Sequence, residues 1–284
     1  IESLSKLAVD NGLLLHVDAC IGGFLLAYLK KIGKYIPLFD FKLSGVTSLS
    51  VDLHKYAYAP KGSSVLLYRK EELRKEQFSV YPNWEGGIYG STTFLGTKPG
   101  GIVASTWMAL NHIGENGYVK LTHKTMDATK VISDYIQNSK DLSLIGTPIM
   151  SLLAFNSEKH DIYHIADLLS EKGWYIGRLQ NPPGIHLVVS QIHADGAAEE
   201  LVEDMEEILE KLNTSNIKNK LSKVGDNLSV NAVKSLGYKS LKKAVVASTG
   251  SKNSKKRLIY DLKSSLDLDQ SNDLFKSILN RFYQ

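Results

Sequence analysis

The chain has 284 residues, 43% of them hydrophobic and 23% charged, which is globular composition with material for one large domain and a smaller one. No apolar run reaches the roughly 18–20 residues that cross a bilayer, and the single cysteine, Cys20, excludes an internal disulfide and suits a reducing compartment. The net charge of +4 is uneven, because residues 213–284 hold 14 Lys and Arg against 5 Asp and Glu. A solvated helical extension is the expected form of that basic stretch. Contact with nucleic acid or an anionic membrane is the weaker expectation, since no aromatic residues are interleaved with the basic ones at regular spacing. The first residue is Ile1 rather than Met and sits inside an amphipathic pattern, so the sequence reads as the C-terminal part of a longer protein.

Residues 1–12 form an amphipathic helix closed by Asn11-Gly12. Residues 13–19 run nearly all apolar, as strands buried on both faces do. Gly22-Gly23 follows, where a backbone without Cβ atoms can approach a ligand or another segment closely. An apolar stretch over 24–32 is helix or loop, residues 46–51 are the next strand, and the Pro60-Lys-Gly62 turn leads to another at 63–68. This order of helix, strand, loop, strand, turn and strand is an α/β pattern. Residues 81–93 and 96–101 form a long irregular segment rich in Gly, Ser, Thr and aromatics, types whose amides and hydroxyls donate to anions. Helices are expected over 102–115 and 118–139, with Asn116-Gly117 as the break.

The pattern changes near residues 141–148. A strand at 151–155, a helix at 162–172 and a strand at 185–189 suggest a small strand–helix–strand domain ending in an acidic helix over 196–212. The domains are thus expected at 1–140, 141–212 and 213–284. The last is a Ser/Lys/Asn-rich extension with two helices, whose 225–236 portion is expected to cover the small domain.

The chemistry centres on Lys55, which follows His54 just past the β-branched run at 46–51, where a strand gives way to a loop. Asp18 lies 37 residues earlier, near the end of an apolar strand. Pyridoxal phosphate chemistry needs both groups, an amine for a Schiff base and an acid to hold the pyridinium proton. The ordinary alternatives are a solvated surface lysine and a carboxylate paired with a structural Arg or Lys. Ala19 is small enough to lie against a cofactor ring. His54 is expected to touch a phosphate or orient Lys55, and no metal-ligand spacing surrounds it. His16 shares a strand face with Asp18 and is read equally as its support or as a satisfied core histidine. Lys61 falls on a turn, where a solvent-facing lysine is the ordinary reading.

Particular runs resemble sphingosine-1-phosphate lyases, within the broader pyridoxal-phosphate-dependent decarboxylases. They are His16-Val-Asp-Ala-Cys-Ile-Gly-Gly-Phe24, His54-Lys55-Tyr-Ala-Tyr-Ala-Pro-Lys-Gly-Ser-Ser64, Trp84-Glu-Gly-Gly-Ile-Tyr89 and Lys98-Pro-Gly-Gly-Ile102. The resemblance implies an aspartate-aminotransferase-like fold (fold type I): the C-terminal part of a three-layer α/β/α large domain plus a small C-terminal α/β domain. It implies pyridoxal 5'-phosphate on Lys55, and substrate phosphate anchored by Lys61. It also implies a Gly90-Ser91-Thr92 loop that reaches the neighbouring subunit's cofactor phosphate, hence a homodimer. The implied reaction cleaves the C2–C3 bond of a phosphorylated sphingoid base to a long-chain aldehyde and phosphoethanolamine. The N-terminal half of the large domain is expected on a further segment. That segment is also where any endoplasmic-reticulum anchor would lie, with the present residues facing the cytoplasm. Amino-acid decarboxylation on the same scaffold, or a catalytically silent interaction protein, are the alternatives.

Overall fold

In β2 (Val46–Asp52) the side chains alternate: Leu49 and Val51 are buried, while Ser48, Ser50 and Asp52 take the opposite face. The computed structural model describes residues 1–218 and 266–282; the expected covering segment at 225–236 lies outside the described residues. β1 (Leu15–Asp18) runs parallel to β2, pairing Val17 with Leu49 and Asp18 with Ser50. β3 (Ser64–Tyr68) runs antiparallel on the other side, pairing Val65 with Val51 and Ser64 with Asp52. The three strands lie in the order β1-β2-β3.

One face of this sheet is apolar. Val17, Ala19, Val46, Leu49 and Val51 form its core, with Phe24 of α2 (Gly22–Lys31) packed against it. The other face carries His16, Asp18, Ser48 and Ser50. Residues 13–19 are therefore not buried on both faces: Val17 is buried, but His16 and Asp18 are exposed, and Leu13 and Leu14 are 57% and 73% exposed. The one-sided covering of a three-stranded sheet accounts for the difference. Gly22-Gly23 serves a close approach between segments, since a Cβ on Gly23 would stand 2.8 Å from Val51 Cγ2 and 3.0 Å from Ala19 Cβ. α1 (Glu2–Asp10) is fastened where the Gly45 N–H donates to Ser5 Oγ at 2.9 Å.

α3 (Glu71–Lys75) leads to a two-stranded ribbon, β4 (Ser79–Tyr81) with β5 (Tyr89–Ser91). α4 (Gly100–Asn138) follows as one helical run interrupted at Gly114. Its φ of 61° and ψ of 176° are open to glycine and closed to residues with a Cβ, so the break falls there and not at Asn116-Gly117.

The described residues fall into two compact units, divided between Asp127 and Ala128. In the second, β6 (Ser143–Leu144), β7 (Leu152–Asn156), β9 (Pro183–Val188) and β8 (Gly177–Gln180) form an antiparallel sheet in the order β6-β7-β9-β8. β6 and β8 were not anticipated. α5 (Ile162–Glu171) begins at Asp161, whose carboxylate accepts from the N–H groups of Tyr163 and His164, and α6 (Ala197–Lys218) is the acidic helix. Ile132, Leu153, Phe155, Leu169, Ile185 and Met205 are nearly or fully enclosed in this unit's core. A last helix, α7 (Leu268–Phe282), buries Leu274 and Ile278.

Candidate active site

Because β1 and β2 are parallel, Asp18 at the end of β1 and the turn after Asp52 open from the same edge of the sheet. In α/β sheets this carboxyl edge is where ligands bind. The turn holding Lys55 is stitched by backbone bonds from Lys55 N–H to Asp52 O (3.2 Å), Tyr58 N–H to Lys55 O (3.1 Å) and Ala59 N–H to Leu53 O (3.1 Å). Tyr58 takes a left-handed φ of 55°, a conformation that costs a side-chain-bearing residue about 1–2 kcal/mol. Beneath the turn, Tyr118 donates its hydroxyl to Ala57 O at 2.8 Å, and its ring meets Phe24 edge-on at 4.8 Å between centroids. Burial, with Tyr28 and Tyr58 nearby, pushes the Tyr118 hydroxyl up to about 12.

Lys55 Nζ lies 2.9 Å from Asp52 Oδ2, and Asp52 Oδ1 accepts from Ser64 Oγ at 2.6 Å. Partial desolvation alone would lower the Lys55 amine, but the bond to Asp52 and contact with Cys20 outweigh it and raise it above the ordinary lysine value. His54 Nδ1 is 2.8 Å from Ser63 O; a carbonyl only accepts, so Nδ1 carries the proton. His54 Nε2 faces Asp52 Oδ2 at 3.7 Å.

Asp18 Oδ1 accepts from Cys20 N–H at 3.0 Å and from Ser50 Oγ at 3.3 Å. The Cys20 side chain, then its N–H, hold the Asp18 carboxyl below the usual carboxylate range, with Ser50 and His16 adding to the effect against a desolvation cost. His16 bridges Ser48 Oγ (2.9 Å) and Ser50 Oγ (3.3 Å), so it supports Asp18 through Ser50 and is not a core histidine. Cys20, two residues past Asp18, accepts through its carbonyl from the N–H of Asp52, the partner of Lys55, at 3.2 Å, which ties the segments bearing the two expected groups together at one edge of the sheet. Ala19 beside them is buried.

Lys61 lies on the exposed turn before β3, and Gly90 and Ser91 form β5. Thr92 lines a groove of about 950 Å³ together with His16, Ser48, Ser50, Arg74 and Lys98; Lys55, Asp18 and Lys61 do not line it. Asp52 escaped the sequence reading. Its signal was a carboxylate three residues before the lysine, which becomes a partner only once the chain turns.

An amine and an ionised carboxylate at one carboxyl edge of a parallel strand pair, flanked by hydroxyls and imidazoles, form a donor set that fits pyridoxal phosphate. Residues 1–158 match the pyridoxal-dependent decarboxylase conserved domain, and the chain belongs to that family, with pyridoxal 5'-phosphate as its cofactor. Its relatives narrow the class. A sphingosine-1-phosphate lyase of Arabidopsis thaliana is 43% identical over 210 residues, 74% of this chain and 38% of that protein. Sphingosine-1-phosphate lyase 1 of Rattus norvegicus is 45% identical over 196 residues, 68% of this chain and 34% of that protein. The structure of a Burkholderia pseudomallei sphingosine-1-phosphate lyase superimposes with a TM-score of 0.73 at 36% identity, covering 80% of this chain and 52% of that one. A Lactobacillus brevis glutamate decarboxylase, at 19% identity and a TM-score of 0.60, shares the fold. The chain thus spans a little over a third of the curated relatives' length. Among the described residues no helix is long and apolar enough to cross a membrane.

Proposed function

We propose that this chain carries the lysine-bearing part of a pyridoxal-phosphate-dependent carbon–carbon lyase. Its substrate is a phosphorylated long-chain amino alcohol of the sphingosine 1-phosphate type, and its products are a long-chain aldehyde and phosphoethanolamine. The observation that supports it most directly is that Lys55 and Asp18 open from one carboxyl edge of β1 and β2, their segments joined by the bond from Asp52 N–H to Cys20 O.

Bound there, the cofactor supplies an electron sink for the bond that breaks beside the substrate's amine-bearing carbon. Lys55 is the residue that would hold it covalently. Asp18, ionised and fixed by Cys20 N–H and Ser50, would keep a proton on the ring nitrogen of the cofactor. His16 braces Ser50, and Ala19 leaves room for a flat ring. His54, with Nδ1 committed to Ser63 O, has Nε2 left either to donate to a phosphate as an imidazolium N–H or, as a neutral ring, to share the removal of a hydroxyl proton with the released Lys55. Lys61 anchors the substrate phosphate as a point charge. Gly90, Ser91 and Thr92 contribute to the partner subunit's site in a homodimer.

Product analysis tests this reading. The protein at its full natural length is incubated with pyridoxal phosphate and sphingosine 1-phosphate, beside Lys55→Ala, and aldehyde and phosphoethanolamine are followed by mass spectrometry. Both products, lost in the variant, are expected. A normal cofactor absorption band without either product would overturn the lyase reading in favour of amino-acid decarboxylation.

A further inference from the structure

Asp52 has more partners than its place at a strand end requires. Its N–H donates to Cys20 O (3.2 Å), and its carbonyl accepts from Lys55 N–H (3.2 Å). Its carboxylate accepts from the Ser64 hydroxyl through Oδ1 (2.6 Å) and pairs with the Lys55 ammonium through Oδ2 (2.9 Å). Asp52 and Ser64 sit directly opposite each other in the β2–β3 ladder, so the carboxylate is aimed from rigid backbone. The Asp52 side chain is 18% exposed and that of Lys55 29%, so the pair stands at the mouth of the turn and is not loose in solvent. Most surface ion pairs hold two floppy side chains and contribute little. Here one partner is already fixed by a second, charge-assisted hydrogen bond, and the other lies within the same stitched turn.

We propose that Asp52 is the positioning carboxylate of Lys55, holding its amine as an ammonium aimed across the turn whenever Lys55 is not covalently engaged. The role rests on Lys55 being the Schiff-base lysine. Only the neutral amine attacks a carbonyl, so the carboxylate sets both the direction of Nζ and the pH at which Lys55 becomes a nucleophile. Among the described residues, His54 Nε2, 3.7 Å from the same oxygen, and Cys20, which helps to hold the Lys55 amine charged, are the other titratable groups beside the pair. Ser64 lies on the opposite oxygen and keeps it from turning away.

The test reads Lys55 in the cofactor-free protein, where neither substrate nor turnover enters. The protein is labelled with acetic anhydride across pH 7 to 11, and modification of Lys55 is quantified by peptide mass spectrometry against the other lysines. Asp52→Asn keeps the shape and the Ser64 contact but removes the charge. Its Lys55 is expected to label several-fold faster near pH 8, because losing the neighbouring carboxylate raises the share of neutral amine. Ser64→Ala keeps the charge and frees its direction, and should shift the profile the same way by a smaller amount. Melting temperature checks that both variants fold; were Asp52→Asn to unfold, Ser64→Ala alone would decide. Unchanged Lys55 profiles in folded variants would overturn the proposal and leave Asp52 as a turn-forming residue. Failure of wild-type Lys55 to take up cofactor would instead sink the reading on which the proposal rests.

Discussion

Asp18 is exposed, so its replacement should touch chemistry and spare the fold. On the proposed reading Asp18→Asn removes the charge that would steady a pyridinium proton, and product formation should drop at least about 100-fold, the low end for losing a proton-handling group. Its melting temperature should stay within a degree or two of the wild type; a large fall would assign Asp18 to structure. Tyr118 is the converse case. Tyr118→Phe leaves the Ala57 carbonyl without its buried partner, a loss of roughly 1–2 kcal/mol in urea unfolding. The same hydroxyl gives a pH signature. The unfolded tyrosine ionises near pH 10, whereas the folded one resists to about 12. Protons therefore leave the unfolded state first, and stability should fall as pH rises through that window. The fall should be shallower in Tyr118→Phe, because one of the groups responsible is gone. Tyr135, also pushed up to about 12 by burial and then by Glu206, Asp141 and Glu210, keeps part of the slope in the variant.

Among the elements, α2 packs on β2 through the missing Cβ of Gly23. Gly23→Ala forces a methyl into space held by Val51 and Ala19, and a cost of about 1–3 kcal/mol is expected from thermal melting. In the second unit, Asp141 joins three segments: Lys159 Nζ and Asn213 Nδ2 each donate to its carboxylate at 2.7 Å. Those bonds hold its carboxyl below the usual range, against a desolvation cost. A depressed folded-state value means the contribution is fully present above about pH 4 and disappears as pH falls through the folded value. Asp141→Asn should therefore be about 1–2 kcal/mol less stable near neutral pH. The gap should close below pH 4, and a constant gap across that range would refute the linkage. Much at this scale was legible beforehand. β-branched residues marked β2, the Gly pair marked a close approach, and period-two parity put His16 on the face of Asp18. The rest depended on neighbours. Whether residues 13–19 are covered on two faces or one is decided by what packs against them, not by their own apolarity. The true break in α4 lay at Gly114 because a specific φ/ψ pair decides it, and an Asn-Gly pair reports only a tendency. β8 has few of the residues that mark strands and exists because β9 pairs with it.

For the molecule as a whole, the apolar surface is large. Leu4, Leu7, Val9 and Leu14 are more than half exposed, and so are Trp84, Phe94 and Trp107. Surfaces of that kind associate. The 284-residue chain produced alone should elute well above its 31.5 kDa mass in size exclusion with light scattering, and should bind the dye ANS. A dye-negative monomer would show that these residues rearrange to cover one another. Residue type and spacing suggest the amine and carboxylate of the candidate site, and the resemblance to sphingosine-1-phosphate lyases singles them out. The bond from Asp52 N–H to Cys20 O that joins their segments, and the ion pair of Lys55 with Asp52, became visible only once parallel pairing set β1 beside β2.

Tyr118 lies 61 positions from Ala57 in the sequence, yet its hydroxyl holds the turn that aims Lys55, over a floor built with Phe24 and Tyr28. Inherited variation would feel that arrangement. A collection of loss-of-function alleles should return, besides the proposed Schiff-base lysine, substitutions at these three rings that a map of chemical groups alone would score as silent. Such alleles would be sensitive to growth temperature, since they loosen the setting of an intact reactive group and do not delete it.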